Sequence, residues 1–141
     1  MGNLKVLVVE DDIINRRILV NMLKKRFGFE VFEAHDGFDG WEAIQREKPD
    51  LVFLDIYLPI MNGVEIFDEI RKDLRFKNLP VIIYSSVNDK ELIAKFIAKG
   101  ISGYLLKPID PILLNERIAK FIEQLNKNSS EKKKEIGEPK E

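Results

Sequence analysis

Carboxylates, a hydroxyl and a lysine each follow a short apolar run in this 141-residue sequence. The pattern occurs in four places: Glu10 and Asp11 after VLVV, Asp55 after LVFL, Ser85 after VIIY, and Lys107 after GYLL. Because an unpaired charge is costly to bury among apolar side chains, each polar residue is expected just beyond the end of its run. Crowded carboxylates repel one another and need a cation, and an oxygen-rich site with open water positions suits Mg²⁺.

This set of side chains suits phosphoryl transfer to a carboxylate. A carboxylate can itself be the nucleophile and form an aspartyl phosphate. Asp55 is the candidate because it stands alone at its strand end, before a loop that Pro59 and Gly63 shape. A metal ion, a lysine and a hydroxyl would neutralise or hydrogen-bond the phosphoryl oxygens, which is most of what catalysis requires. Lys107 would supply the point charge and Ser85 the hydroxyl donor.

The apolar runs alternate with amphipathic stretches, which predicts five strands and five helices. The predicted strands cover residues 5–9, 30–34, 51–55, 81–85 and 103–106. The predicted helices cover residues 13–27, 38–47, 64–72, 90–99 and 111–124. The residues that support these boundaries are the N-cap candidates Asp36, Asn88 and Asp110, and the helix-ending Gly28 and Gly100.

Strands that alternate with helices of this length indicate an α/β fold with a doubly wound parallel sheet. Runs 6–9, 51–54 and 81–84 are continuously apolar, as expected of strands covered on both faces. Residues 30–34 alternate in polarity and suit one edge, and the short run 103–106 closes the other. The predicted strand order is 2-1-3-4-5, that of a flavodoxin-like (βα)5 fold, with its site in the crevice between strands one and three.

Composition excludes several classes of protein. The formal net charge is −1, so there is no general excess of basic residues for direct nucleic-acid binding. The chain has no cysteine, which excludes disulfides and cysteine-ligated zinc. No apolar segment approaches the roughly 20 residues that span a membrane. We therefore expect a cytoplasmic protein without membrane contact.

Four motifs together resemble one family. VLVVEDD, LVFLDIYLPIMNG, VIIYSS and GYLLKP follow in the order and spacing of the receiver domains of bacterial two-component response regulators. The resemblance runs from about residue 3 to 126, so we interpret 1–126 as a receiver domain, either stand-alone or excised from a larger regulator. Residues 127–141 are charged and nearly devoid of apolar side chains, which predicts a disordered tail.

The resemblance implies a role for each strand-end residue. Asp55 corresponds to the phosphoacceptor, and Lys107 to the lysine that precedes a proline in this family. Mg²⁺ would be bound by Asp11, Asp55 and the backbone carbonyl of Tyr57, with Glu10 acting through water. Tyr57 occupies a variable position, where a bulky ring would shield the acyl phosphate and slow self-dephosphorylation.

The resemblance also implies a conformational switch. Ser85 matches the family's switch hydroxyl, with serine in place of the commoner threonine, and Tyr104 matches its switch aromatic. On phosphorylation Ser85 would move toward the new oxygens and Tyr104 would follow inward. The family pattern further implies a cis bond between Lys107 and Pro108, which an X-Pro bond permits at low cost.

The implied function is that of a signalling switch rather than an enzyme with a separate substrate. A histidine kinase or a phosphotransfer protein would donate phosphate to Asp55, and the receiver would catalyse its own Mg²⁺-dependent phosphorylation and slow dephosphorylation. Its downstream target would be a protein that binds the face of the fourth helix, fifth strand and fifth helix. The chain would be a monomer, or a dimer that depends on phosphorylation.

Three alternatives fit these residues less well. A phosphatase of the haloacid dehalogenase type expects a second aspartate at position 57, where Tyr57 stands. A flavodoxin needs glycines and hydroxyls for phosphate in the first strand–helix turn, which here carries the acidic residues 10–12. A receiver that no longer uses phosphorylation is a third alternative, although every site residue is present.

Overall fold

A computed structural model describes the backbone of residues 4–135 and the side chains of residues 4–128. The strands are β1 (Lys5–Val9), β2 (Glu30–Ala34), β3 (Leu51–Leu54), β4 (Val81–Ser85) and β5 (Gly103–Leu106). The helices are α1 (Ile13–Phe27), α2 (Gly37–Glu47), α3 (Gly63–Lys72), α4 (Lys90–Ala98) and α5 (Pro111–Glu135). The predicted alternation is confirmed, and every boundary except the end of α5 lies within about one residue of its predicted position.

The strands form one parallel sheet in the order β2-β1-β3-β4-β5. This is the predicted flavodoxin-like arrangement of an α/β fold. β1, β3 and β4 are almost entirely buried, whereas β2 is largely half-exposed or exposed. The continuous apolar runs therefore mark the central strands and the alternating run marks an edge. Among the described residues, no helix is both long and apolar enough to cross a bilayer.

The chain divides into two compact units, Met1–Pro108 and Ile109–Glu141. The first unit contains the sheet and α1 to α4, and the second contains α5. All the strand-end residues predicted to form a site belong to the first unit.

Capping residues mark most helix boundaries as expected. Asp36 caps α2, and Gly28 and Gly100 adopt the left-handed backbone, with φ of 68° and 90°, where α1 and α4 end. The predicted cap of α4, Asn88, is wrong. Asp89 takes that place and accepts hydrogen bonds from two backbone N–H groups of the first turn. Asn and Asp are about equally favourable N-caps, so residue preference alone does not decide between Asn88 and Asp89. The helix starts at residue 90, which makes Asp89 its N-cap.

Helix α5 begins as predicted. Asp110 accepts a hydrogen bond from the backbone N–H of Ile112 at 2.7 Å. Leu114, Ile118 and Ile122 recur at a spacing of four residues and are buried, so they form one apolar stripe. No described side chain after Ile122 is buried.

The end of α5 differs from its prediction. The helix continues to Glu135 instead of ending at residue 124, so residues 127–135 of the predicted disordered tail are helical. Lysine and glutamate are good helix formers, and this segment is rich in both, so it can extend a helix without apolar burial. Residues 136–141 lie outside the described residues, and the domain boundary at 126 stays a prediction.

Candidate functional site

The carboxyl ends of β1 and β3 bring two carboxylates side by side. Val9 pairs with Leu54 in the parallel register, and the Asp55 N–H donates to the Val9 carbonyl at 3.1 Å. Glu10 and Asp55 therefore each directly follow the last residue of one of two neighbouring strands and lie side by side. The two residues are 2% and 7% exposed, so both carboxylates are withdrawn from solvent.

Lys107 reaches the same place from β5. Its backbone N–H donates to the Ser85 carbonyl at 2.9 Å, and its bond to Pro108 is cis, as predicted. The ammonium nitrogen Nζ donates to Asp55 Oδ2 at 3.1 Å and to Glu10 Oε1. The lysine side chain is 11% exposed. One cation and two carboxylates thus share a site that is largely shielded from water.

Burial controls the titration of Glu10. It raises the pKa of this carboxyl to about 7; the hydrogen bond from Lys107 opposes the increase, and the charge of Asp55 adds to it. Burial lowers the pKa of Lys107, but its hydrogen bond to Glu10 and the carboxylate charges outweigh that effect and raise it. The lysine therefore stays cationic, while Glu10 keeps its proton to higher pH than an ordinary glutamate does.

Asp11 completes an acidic cluster that fits a hard divalent cation. Glu10, Asp11 and Asp55 each offer a carboxylate oxygen, and these atoms lie within 4.8 Å of one another. Asp11 is exposed, so the cluster opens to solvent on one side. The Tyr57 N–H lies 3.4 Å from Asp55 Oδ1, which brings the Tyr57 peptide beside the cluster. Oxygen donors with a side open to water suit Mg²⁺ better than softer metals.

The two predicted switch residues converge on Val87. Ser85 is fully buried, and its Oγ accepts a hydrogen bond from the Val87 N–H at 3.3 Å. The Tyr104 hydroxyl donates to the Val87 carbonyl at 2.6 Å. Both side chains therefore bind one residue of the connection between β4 and α4. The sequence predicts the pair but not this shared partner.

The family model for the response regulator receiver domain matches residues 6–119, most of the chain. The chain belongs to this family. Receiver domains act as phosphoacceptor switches in two-component signal transduction, and the predicted function is confirmed at that level.

Named relatives support the same conclusion. The chemotaxis protein CheY1 of Helicobacter pylori is 34% identical over 117 residues, which are 82% of this chain and 94% of that protein. The structure of CheY4 of Vibrio cholerae matches with a TM-score of 0.77 and 28% identity, over 85% of this chain and 99% of that one.

A third structure shares the fold. The receiver domain of the sensor histidine kinase PA1611 from Pseudomonas aeruginosa PAO1 matches with a TM-score of 0.73 and 24% identity, over 86% of this chain and 98% of that one. That receiver was crystallised with a magnesium ion coordinated in its active-site cleft.

Gly63 holds the loop between β3 and α3 of this receiver against Asp55. Its N–H donates to the Ile56 carbonyl at 2.8 Å, and a Cβ at this position would press on the Asp55 carbonyl and stand 2.7 Å from the Ile56 Cα. Any larger residue would push α3 away from the end of β3. Asn62 and Glu65 form a capping box at the same helix start. Sequence analysis misses this box, although Asn-x-x-Glu is its signature.

Arg16 of α1 stabilises the backbone at the acidic cluster of the receiver. Its Nη1 donates to the Glu10 carbonyl at 2.8 Å, and its Nε donates to Glu33 at 2.9 Å. Asp12 caps the same helix by accepting from the Ile14 N–H at 2.9 Å. The backbone that carries Glu10 is therefore fixed by its hydrogen bond from Arg16 and by the capped start of α1. Sequence analysis misses Arg16 because its partners lie 6 and 17 positions away, beyond any local motif.

The raised pKa of Glu10 predicts that the metal-free receiver loses stability as pH rises through the neutral range. The folded-state value of about 7 exceeds the 4.5 of an ordinary glutamate, so the folded chain binds more protons between these values. Its stability therefore falls with rising pH over this interval and levels off once Glu10 ionises in the folded chain. Thermal unfolding in EDTA between about pH 5 and 8 should show this decline, with a shallower slope in Glu10→Gln.

Magnesium provides the control for this pH dependence. A metal ion binds ionised carboxylates and stabilises the state that holds them. Saturating Mg²⁺ should therefore flatten the decline in the wild-type receiver more than in Glu10→Gln. A wild-type slope that persists unchanged in Glu10→Gln would contradict the assignment to this residue.

Proposed function

We propose that Asp55 accepts the phosphoryl group and that Lys107 and Ser85 stabilise it there. The observation that carries this proposal is the position of the Lys107 ammonium. It donates hydrogen bonds to both Asp55 and Glu10 at the carboxyl ends of the strands. An Asp55 oxygen attacks the phosphorus of a phosphohistidine, and the new P–O bond forms as the P–N bond breaks. The departing imidazole takes up a proton. Lys107 then faces an acyl phosphate oxygen as a point charge.

Magnesium is the cofactor that we propose for this transfer. Asp11, Asp55 and the Tyr57 carbonyl would hold it, with Glu10 acting through water. When bound, the metal neutralises charge that develops on the phosphoryl oxygens. The spacing of the acidic cluster supports this choice. So does the magnesium ion in the PA1611 receiver, which has the same fold.

Phosphorylation is expected to act through Val87. Ser85 Oγ accepts a hydrogen bond from the Val87 N–H. If Ser85 turned toward a phosphoryl oxygen, it would release that N–H, and Tyr104, which donates to the Val87 carbonyl, would move with the loop. The result is a population shift between two packings of the connection that precedes α4. A downstream protein would recognise the change on α4 and β5, with α5 as the third element that the family resemblance implies.

A histidine kinase or a phosphotransfer protein is the proposed donor. Helix α1 begins directly after the acidic residues and exposes Ile13, Ile14 and Ile18, which together offer an apolar surface to a partner. We propose that the exchange takes place in the cytoplasm. The receiver catalyses its own phosphorylation and dephosphorylation, as a monomer or as a dimer that forms on phosphorylation.

Intact-mass spectrometry after incubation with acetyl phosphate tests this proposal. One added phosphoryl group is expected with Mg²⁺ and none with EDTA, and borohydride reduction followed by peptide mapping should place it on Asp55. Calorimetry establishes independently whether the protein binds Mg²⁺. A folded protein that binds Mg²⁺ but takes no phosphoryl group from acetyl phosphate or from a panel of phosphorylated histidine kinases would contradict the proposal.

Tyr57 is predicted to slow the loss of the phosphoryl group. Tyr57 is 67% exposed while its N–H lies beside Asp55, so the ring stands at the mouth of the site rather than in the core. Tyr57→Asn removes the shield, and we expect its phosphorylated form to decay about tenfold faster, equivalent to ~1.4 kcal/mol in the barrier. Tyr57→Phe should keep the slow rate. Fast wild-type decay that Tyr57→Asn leaves unchanged would contradict a shielding role.

A further inference from the structure

We propose that Tyr84 is a positioning residue for Lys107, whose ammonium it holds at the phosphoacceptor through the face of its ring. The Lys107 Nζ lies 4.9 Å from the centroid of the Tyr84 ring, within the range of a cation–π interaction. This inference rests on the proposed roles of Asp55 and Lys107. It adds an aromatic residue to a site otherwise built from carboxylates, a hydroxyl and a lysine.

The strand register brings Tyr84 and Lys107 together. Tyr84 directly precedes Ser85 on β4 and pairs with Leu105 of β5. Side chains two positions apart on a strand share a face of the sheet, so Lys107 leaves β5 on the side where Tyr84 lies. Tyr84 is only 6% exposed, and its surroundings therefore fix the ring. The ammonium has a rigid aromatic surface against it.

Of the three contacts described for the ammonium, the Tyr84 ring is the one that phosphorylation leaves unchanged. Glu10 accepts a hydrogen bond from Lys107 here but is also the proposed partner of the metal. Asp55 accepts another, and one of its oxygens becomes part of the acyl phosphate. Both carboxylates therefore change role during the reaction. The ring keeps the same charge distribution throughout and can hold the ammonium in place as its other partners change.

The chemistry of the ring, rather than its volume, matters for this role. Burial raises the pKa of Tyr84, so its hydroxyl stays protonated and the ring neutral at physiological pH. A neutral aromatic ring presents a negative face to a cation, which an aliphatic side chain of similar size lacks. If Tyr84 served only to fill space, leucine would serve as well. For a shielded pair, the attraction would raise the fraction of the ammonium that is held in position, and with it the rate, by a factor of roughly 3 to 30.

Three variants separate these possibilities. Tyr84→Leu removes the ring, and Tyr84→Phe keeps the ring but removes the hydroxyl. Phe76→Leu is the matched control, because Phe76 is 5% exposed and its ring centroid lies 4.9 Å from the Arg75 guanidinium carbon. The measured quantities are the rate of phosphorylation by acetyl phosphate with Mg²⁺ and the chemical shift of the Lys107 ε-methylene protons. Protons that lie over the face of an aromatic ring resonate upfield, so this shift reports the contact between the ring and Lys107. A Tyr84 that only filled space would not need to make that contact.

We expect Tyr84→Leu to phosphorylate roughly 3- to 30-fold more slowly and to lose the upfield shift. Tyr84→Phe should retain both the rate and the shift, and Phe76→Leu should change neither. A wild-type rate in Tyr84→Leu would overturn the proposal. So would a Tyr84→Phe variant as slow as Tyr84→Leu, which would assign the effect to the hydroxyl, or an equal loss in Phe76→Leu, which would assign it to general packing.

The same experiment distinguishes this inference from the proposed function. If the wild-type chain takes no phosphoryl group from acetyl phosphate or from the panel of kinases, the proposed function fails, and an absent upfield shift would then also overturn the contact between Tyr84 and Lys107. If the wild-type chain is phosphorylated on Asp55 while Tyr84→Leu keeps its rate, the proposed function stands and only the role of Tyr84 fails.

Discussion

Asp55→Asn is expected to abolish phosphorylation of the receiver. The amide has the shape of the carboxylate and keeps one oxygen that can accept the hydrogen bond from Lys107, so the fold should persist. It lacks the anionic oxygen that attacks phosphorus. We expect the phosphorylation rate to fall by at least about 100-fold, since loss of a nucleophile elsewhere costs considerably more than that. Intact-mass spectrometry with acetyl phosphate and Mg²⁺ measures the loss, and circular dichroism confirms folding.

Asp50→Asn is the matched control for this variant. It makes the same chemical change just before the other end of β3, where Asp50 accepts a hydrogen bond from the Lys5 N–H at 2.8 Å. Its phosphorylation should match that of the wild-type chain. An undiminished adduct in Asp55→Asn, mapped to Asp11 or Asp12, would show that the acceptor lies elsewhere in the acidic cluster.

Strand patterning explains why so much of the fold is predictable from the sequence. β1, β3 and β4 are continuous apolar runs because both of their faces are covered, and β2 alternates because it lies at an edge. A polar residue that ends such a run marks the point where the strand leaves the apolar part of the core. Since the carboxyl ends of parallel strands lie along one edge of the sheet, Glu10, Asp55 and Lys107 could be expected at the same edge.

Contacts between distant residues explain what the sequence does not reveal. The hydrogen bond from Lys107 to Glu10 joins residues 97 positions apart, and no local pattern specifies its geometry. The shared partner of Ser85 and Tyr104 and the ring of Tyr84 depend in the same way on the registers between strands. Prediction from the local sequence also fails where two helix boundaries are nearly equal in free energy. The cap of α4 and the end of α5 are of this kind.

Lys107→Met is expected to separate metal binding from phosphoryl transfer. The ammonium donates to both Glu10 and Asp55, so it competes electrostatically with a cation at the acidic cluster. Its removal should leave Mg²⁺ affinity unchanged or higher in calorimetry. The phosphorylation rate should nevertheless fall by about 100- to 1,000-fold, the usual effect of removing a group that stabilises charge in the transition state.

Protonation of Glu10 should keep the Lys107→Met variant folded. Loss of the hydrogen bond from Lys107 removes the main effect that opposes the raised pKa of Glu10, so that carboxyl stays protonated to higher pH in the absence of metal. The decline in stability of the metal-free protein should therefore extend to higher pH. Lys95→Met, which alters an exposed lysine of α4, is the control and should leave both measurements unchanged. If Lys107→Met binds Mg²⁺ and is phosphorylated at the wild-type rate, the lysine only balances the charge of Glu10 and Asp55, and its proposed action on the phosphoryl group is wrong.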